Sequence, residues 1–150
     1  MLLASATIDI EADQATVFDL FTTETGLCRW MAKEASVDLR PGGAFRWVHD
    51  NGAAAAGEYV DVDPHERVSF TYGWEAGPYA EMGPGASNVD VSFEAIAAGT
   101  RVTVEHSGVP SAFVDAHQGG WTYFLGLLAD VAGGVRLHGD RLPTAPNQEA

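Results

Sequence analysis

Arg40-Pro41-Gly42-Gly43-Ala44-Phe45-Arg46-Trp47, followed by Gly57-Glu58-Tyr59 and Asp63-Pro64-His65-Glu66-Arg67-Val68, is the stretch that decides the architecture. A Pro-Gly-Gly turn launches an alternating strand, a second strand carries Gly-Glu-Tyr, and a Pro-containing turn opens a third. Period-two alternation puts Phe45 and Trp47, then Tyr59, then Phe70, Tyr72 and Trp74 on one face. A curved sheet with that many rings on its concave side encloses a helix, a small apolar ligand, or both.

Working outward, residues 2–10 alternate toward Ile8 and Ile10 and read as an opening strand. Ala12-Asp13 supplies an N-cap for a short helix through Val17, Phe18 and Phe21, ending near Thr22-Thr23. Glu24 to Met31 reads as a second short helix broken at Gly26, and 34–39 as a brief strand. Asp50-Asn51-Gly52 is a hairpin signal between a strand through His49 and one through Val62. Arg67–Glu75, Asn88–Ala97 and Thr100–Ser107 complete the strands, with Gly77–Ser87 an irregular loop.

The last element runs from near Ser111 to about His138. Trp121, Phe124, Leu125, Leu128 and Ala132 recur at helical spacing, so one stripe faces the sheet. Gly119-Gly120 inside this helix predicts a kink or a close approach to the sheet. The order is strand, two short helices, six strands, long helix: an α+β fold, a curved antiparallel sheet wrapped around its C-terminal helix. One domain over 1–142 and a disordered tail over 143–150 are expected.

The composition narrows function by exclusion. A net charge of -13 with a single lysine, Lys33, leaves no basic stripe for nucleic acid and disfavours an anionic membrane surface. No apolar run is long enough to span a bilayer, the N-terminus lacks a cationic signal region, and the lone Cys28 excludes an intramolecular disulfide. These readings predict a cytoplasmic protein, with Cys28 a packed small side chain.

The fold-deciding stretch, together with Val17-Phe18-Asp19-Leu20-Phe21-Thr22-Thr23, Trp30-Met31, Gly99-Thr100-Arg101-Val102-Thr103-Val104 and Gly119-Gly120-Trp121, resembles the START-like (SRPBCC) superfamily. Within it, the chain is similar to the branch of heat-shock protein 90 ATPase activator homologues, from about residue 5 to 135. The resemblance implies the helix-grip fold. It implies no single function, since relatives include lipid carriers, hormone receptors, polyketide cyclases, oxygenase subunits and co-chaperone domains. The branch name implies chaperone-ATPase stimulation and a stress response. In the eukaryotic activator that activity involves a second domain, for which the present length is expected to leave no room.

The lining expected from strand alternation is Phe45 and Trp47, Tyr59, then Phe70, Tyr72 and Trp74. Val91 and Phe93, with Val104 and His106, continue it. Trp30 joins from the second helix, and Trp121, Phe124 and Leu125 from the last. Tyr72, Trp74, Tyr59 and Trp30 have apolar bodies and polar tips, suited to orienting a ligand or simply to filling the core. His106 is a titratable group on an apolar face. Either it contacts a ligand or moves a proton, or it hydrogen-bonds a carbonyl or a tyrosine.

His49 is expected to be exposed at a hairpin end, and His117 to lie at the pocket mouth. Glu58 is expected to point outward, its charge either resting in solvent or pairing with Arg46. No nucleophile elbow, phosphate loop or dinucleotide fingerprint is present, the histidine spacings match no metal-ligand pattern, and no cofactor is expected. The favoured reading is non-enzymatic binding of a small, largely apolar ligand between sheet and helix. The alternatives are a cofactor-free cyclase or dehydratase using His106, and an interaction module, chaperone-linked or homodimeric.

Overall fold

The computed structural model of the chain describes residues 3–135; the expected tail lies outside them. Seven strands form one antiparallel sheet: β1 (Leu3–Ile10), β2 (Glu34–Val37), β3 (Ala44–Val48), β4 (Ala54–Asp63), β5 (Arg67–Ala76), β6 (Ser87–Ile96) and β7 (Gly99–Ser107). The spatial order is β1-β7-β6-β5-β4-β3-β2. Two short helices, α1 (Gln14–Thr22) and α2 (Glu24–Trp30), follow β1, and α3 (Val114–Ala132) closes the chain behind a 3-10 turn at Ser111–Phe113. This is the expected helix-grip α+β fold.

Local chemistry explains the elements. Asp13 caps α1 by accepting from the Thr16 backbone N–H at 2.9 Å, as its position predicts. Thr23 does the same for α2, accepting from Gly26 N–H at 3.0 Å. Gly26 does not break α2. A Cβ there would lie 2.7 Å from the Asp19 carbonyl oxygen and from Leu20 Cα, so the glycine lets α2 sit tightly on α1.

The alternation is regular along β3, β6 and β7, and is interrupted in β4 and β5, where Ala54–Ala56 and both Val68–Phe70 and Tyr72–Trp74 are buried in succession. Phe45, Trp47, Tyr59, Phe70, Tyr72, Trp74, Val91, Phe93, Val104 and His106 are all buried, while Arg46 and Glu58 face outward. Of the two alternatives for Glu58 the solvent-exposed one is found, since Arg46 pairs instead with Glu75 at 2.9 Å. The register explains this: Glu58 stands opposite Ala44, and Arg46 stands opposite Ala56. The arginine reaches across that small residue to β5.

Helix α3 turns His117, Trp121, Phe124, Leu125, Leu128 and Val131 inward. It ends at Ala132, short of the expected His138, where Gly133-Gly134 follows with Gly134 at φ 97°. Neither expected role for Gly119-Gly120 is found: the helix runs through both, and a Cβ on either would touch nothing within 4 Å. The segment from Gly77 to Ala86 is irregular, as expected, yet it packs closely on β5. The Trp74 N–H donates to the Met82 carbonyl at 2.8 Å. A Cβ on Gly73 would fall 1.6 Å from the Gly83 carbonyl oxygen. None of the described helices is long and apolar enough to cross a membrane.

Candidate functional site: an aromatic cavity at one end of the helix grip

Between α3 and the ends of β3, β4 and β5 lies an apolar cavity of about 60 Å³. Beside it the start of β4 carries only small side chains, Ala54, Ala55 and Ala56. Ala55 stands opposite Trp47 on one side and Trp74 on the other, and Ala53 lines the void. Tyr72 and Trp74 form one wall, and Trp121 and Phe124 of α3 the facing one. Tyr79, delivered by the loop folded on β5, closes a side. Gly120 gives the helix wall no side chain at this point, and a Cβ there would meet nothing within 4 Å. Among the described residues, no Asp, Glu, Lys or Arg lines the cavity.

Two indole–imidazole pairs fasten α3 to the sheet around this space. Trp121 Nε1–H donates to His106 Nδ1 at 3.1 Å. An acceptor at Nδ1 places the proton of the neutral ring on Nε2, which then donates to Ser87 Oγ at 2.8 Å, and Ser87 donates to the Tyr72 carbonyl at 2.7 Å. Trp74 Nε1–H donates to His117 Nε2 at 3.0 Å, and His117 Nδ1–H donates to the Phe113 carbonyl at 2.9 Å. Both histidines are therefore neutral.

Their titration follows from this burial. Desolvation, with the nearby His117 adding to it, brings the His106 pKa down to about 3. Desolvation also lowers His117, against a smaller upward pull from its bond to Phe113. Burial pushes the Tyr72 phenol above its ordinary range, so it stays protonated. Among the described residues no group hydrogen-bonds that hydroxyl, although the side chain lines the cavity and is only 4% exposed.

Of the residues expected to line a pocket, Tyr72, Trp74, Trp121 and Phe124 do so. Phe45, Trp47, Tyr59 and Phe70 form the aromatic layers beneath them, and Val91, Phe93, Val104 and Leu125 belong to the same core. Trp30 sits under α1, its Nε1–H donating to the Leu20 carbonyl at 2.8 Å. His106 is fully buried behind Tyr72, its ring 4.9 Å from the phenol ring.

His49 is buried, contrary to expectation. Its Nδ1 lies 3.1 Å from the Met31 carbonyl oxygen and its ring 5.4 Å from both Trp74 and Phe124. The corner after α2 and Phe124 in the middle of α3 cover the hairpin end that sequence alone leaves open. His117 lines the cavity as expected, though it is itself buried. Ala53, Tyr79 and Gly120 escaped the sequence reading. The run Ala53-Ala54-Ala55-Ala56 beside aromatic strands was the signal for the first; Gly120 carried one only as an unexplained helical glycine.

Among the described residues, no three His, Cys, Asp or Glu side chains converge on a point that would hold a metal ion. The cavity's chemistry is aromatic surface with two phenols, Tyr72 and Tyr79, two imidazoles, His49 and His117, and the Asn51 amide.

Comparison with known proteins agrees with this geometry. The family model for activator of Hsp90 ATPase homolog 1-like proteins matches residues 11–133. An AHSA1-like protein from Rhizobium etli is 31% identical, with a TM-score of 0.69 over 96% of this chain and 92% of that one. The Aha1 dimer from Colwellia psychrerythraea is 22% identical, with a TM-score of 0.75 over 88% and 96%. DynU16, from the dynemicin biosynthetic locus, is 21% identical with a TM-score of 0.76 over 89% of this chain; the match spans about half (48%) of DynU16's own length. No functionally curated protein matches. A helix-grip fold and a family match running from the end of β1 to the end of α3 place the chain in the family of activator of Hsp90 ATPase homolog 1-like proteins, within the START/SRPBCC superfamily.

Proposed function

We propose that the protein binds a small, neutral, largely apolar molecule between α3 and the sheet, without turning it over. The observation that carries this reading is the uncharged aromatic cavity into which Tyr72, its hydroxyl unpartnered among the described residues, is built. Rings of Trp74, Trp121 and Phe124 would supply contact area, and the phenol one orienting hydrogen bond. The bonding of both His106 nitrogens favours binding over a cyclase or dehydratase in which that ring shuttles a proton. DynU16's origin in a biosynthetic locus accords with a small-molecule ligand. A homodimer, the state named for the Colwellia relative, is proposed alongside, and light scattering tests it.

Native mass spectrometry of the purified protein, repeated under denaturing conditions, tests the reading. A small molecule released on denaturation supports it and reveals the ligand's class. A clean apo mass, together with no binding across a panel of neutral apolar fluorophores, would displace it in favour of a protein-interaction role.

A further inference from the structure

Resting on that ligand-binding reading, we propose that the site continues inward past Tyr72 to the indole N–H of Trp47. Its ligand is then a neutral apolar molecule bearing a carbonyl oxygen, which accepts from Trp47 Nε1.

The chain has four tryptophans. Three have acceptors for their N–H: Trp30 on the Leu20 carbonyl, Trp74 on His117 and Trp121 on His106. Trp47 is the exception, its Nε1 buried with no partner among the described residues and its side chain only 1% exposed. A donor stripped of water and given no acceptor is costly, and such groups are rare in folded proteins. This one lies directly beneath the cavity. His49, two residues on from Trp47 and just past the end of β3, lines the cavity. So does Tyr72, whose ring centroid is 6.0 Å from that of Trp47. On the strand between them Ala55 presents only a methyl group.

Tyr72 is therefore the partition, packed among the rings of Phe45, Trp47, Phe70, Trp74, His106 and Trp121 and held by that packing. Trp74, Trp121 and His117 are each tied by a side-chain hydrogen bond, whereas the Tyr72 hydroxyl has none among the described residues. Turning its ring would join the outer cavity to the Trp47 layer at the cost of packing alone. The Tyr59 hydroxyl is also buried without a partner among the described residues, and the Tyr59 ring packs on Phe45, the neighbour of Trp47 in the same layer.

Size and chemistry set the ligand class. About 60 Å³ falls well below the ~300 Å³ and upward of ordinary ligand pockets, so a ligand of that kind needs the inner space. An indole N–H is a donor only, so the ligand must bring the acceptor. With no charged residue in the wall, a neutral carbonyl suits better than a carboxylate.

The test records indole N–H signals of the full chain by 1H–15N NMR during titration with benzophenone and, separately, diphenylmethane, which has the same two rings and no carbonyl. Benzophenone should move the Trp47 signal and bind about tenfold more tightly than diphenylmethane, an ordinary margin for one hydrogen bond. Trp47→Phe, which keeps an aromatic ring and removes the donor, should erase that preference. If Trp74 and Trp121 move while Trp47 does not, or the preference survives Trp47→Phe, the inner extension is wrong and the outer-cavity reading stands. If neither probe moves any indole signal, both fall. The wild-type titrations decide this even if the variant does not fold, because the four signals are assigned through their neighbours.

Discussion

Trp121 on α3 donates its indole N–H to Nδ1 of His106 on β7 at 3.1 Å, and this bond fixes which tautomer the buried imidazole adopts. With Nδ1 accepting, Nε2 carries the proton and hands it toward Ser87. A residue that looks like an acid/base group in the sequence is thereby a buried fastener between helix and sheet.

Stability should fall as pH falls through the histidine range. His106 titrates at about 3 in the fold against 6.5 ordinarily, and His117 is shifted in the same direction. Above about 6.5 neither folded nor unfolded chain holds these protons, so they add no pH dependence. Below it the unfolded chain binds them first, and each histidine removes up to about 1.4 kcal/mol per pH unit, continuing for His106 toward pH 3. Asp9 and Asp13, held low by the Arg101 and Thr16 hydrogen bonds, contribute only further into acid. Urea midpoints between pH 7.5 and 5 check this. A flat midpoint would mean the histidines are protonated without cost and the two indole bonds are dispensable.

Ser87→Ala should destabilise the fold by about 1–3 kcal/mol, because it strands His106 Nε2–H and the Tyr72 carbonyl in the core. Chemical denaturation measures it. A loss below about 0.5 kcal/mol would show that a water or a shifted ring replaces the hydroxyl.

Gly120 separates stability from binding. A Cβ there meets nothing within 4 Å, so Gly120→Ala should stabilise α3 by up to about 1 kcal/mol. Gly120→Leu should keep the fold and block the cavity, abolishing binding of neutral apolar fluorophores. Melting temperature and fluorophore titration read the two effects. Undiminished binding in Gly120→Leu would place the ligand elsewhere.

The strand faces, the turns and the inward stripe of α3 were legible in the sequence because each depends on local periodicity. Phe45 and Trp47, or Trp121 and Phe124, declare their direction by spacing alone. His49 did not, because its burial is set by α2 and α3 closing over a hairpin end. Arg46 likewise found Glu75 through a register that its own strand does not encode.

By itself, then, the sequence determined the container: seven strands' worth of alternation, a Pro-Gly-Gly turn, and a helix with one apolar stripe. Only the tertiary structure decided where that container is hollow and which polar groups are spent. Hollowness depends on which side chains face each other across strands, as Ala55 does between Trp47 and Trp74. Whether Trp74 or Trp121 keeps a free N–H depends on partners 43 and 15 residues away on other elements. Trp47 has none among the described residues, and spacing along a chain carries no record of that either.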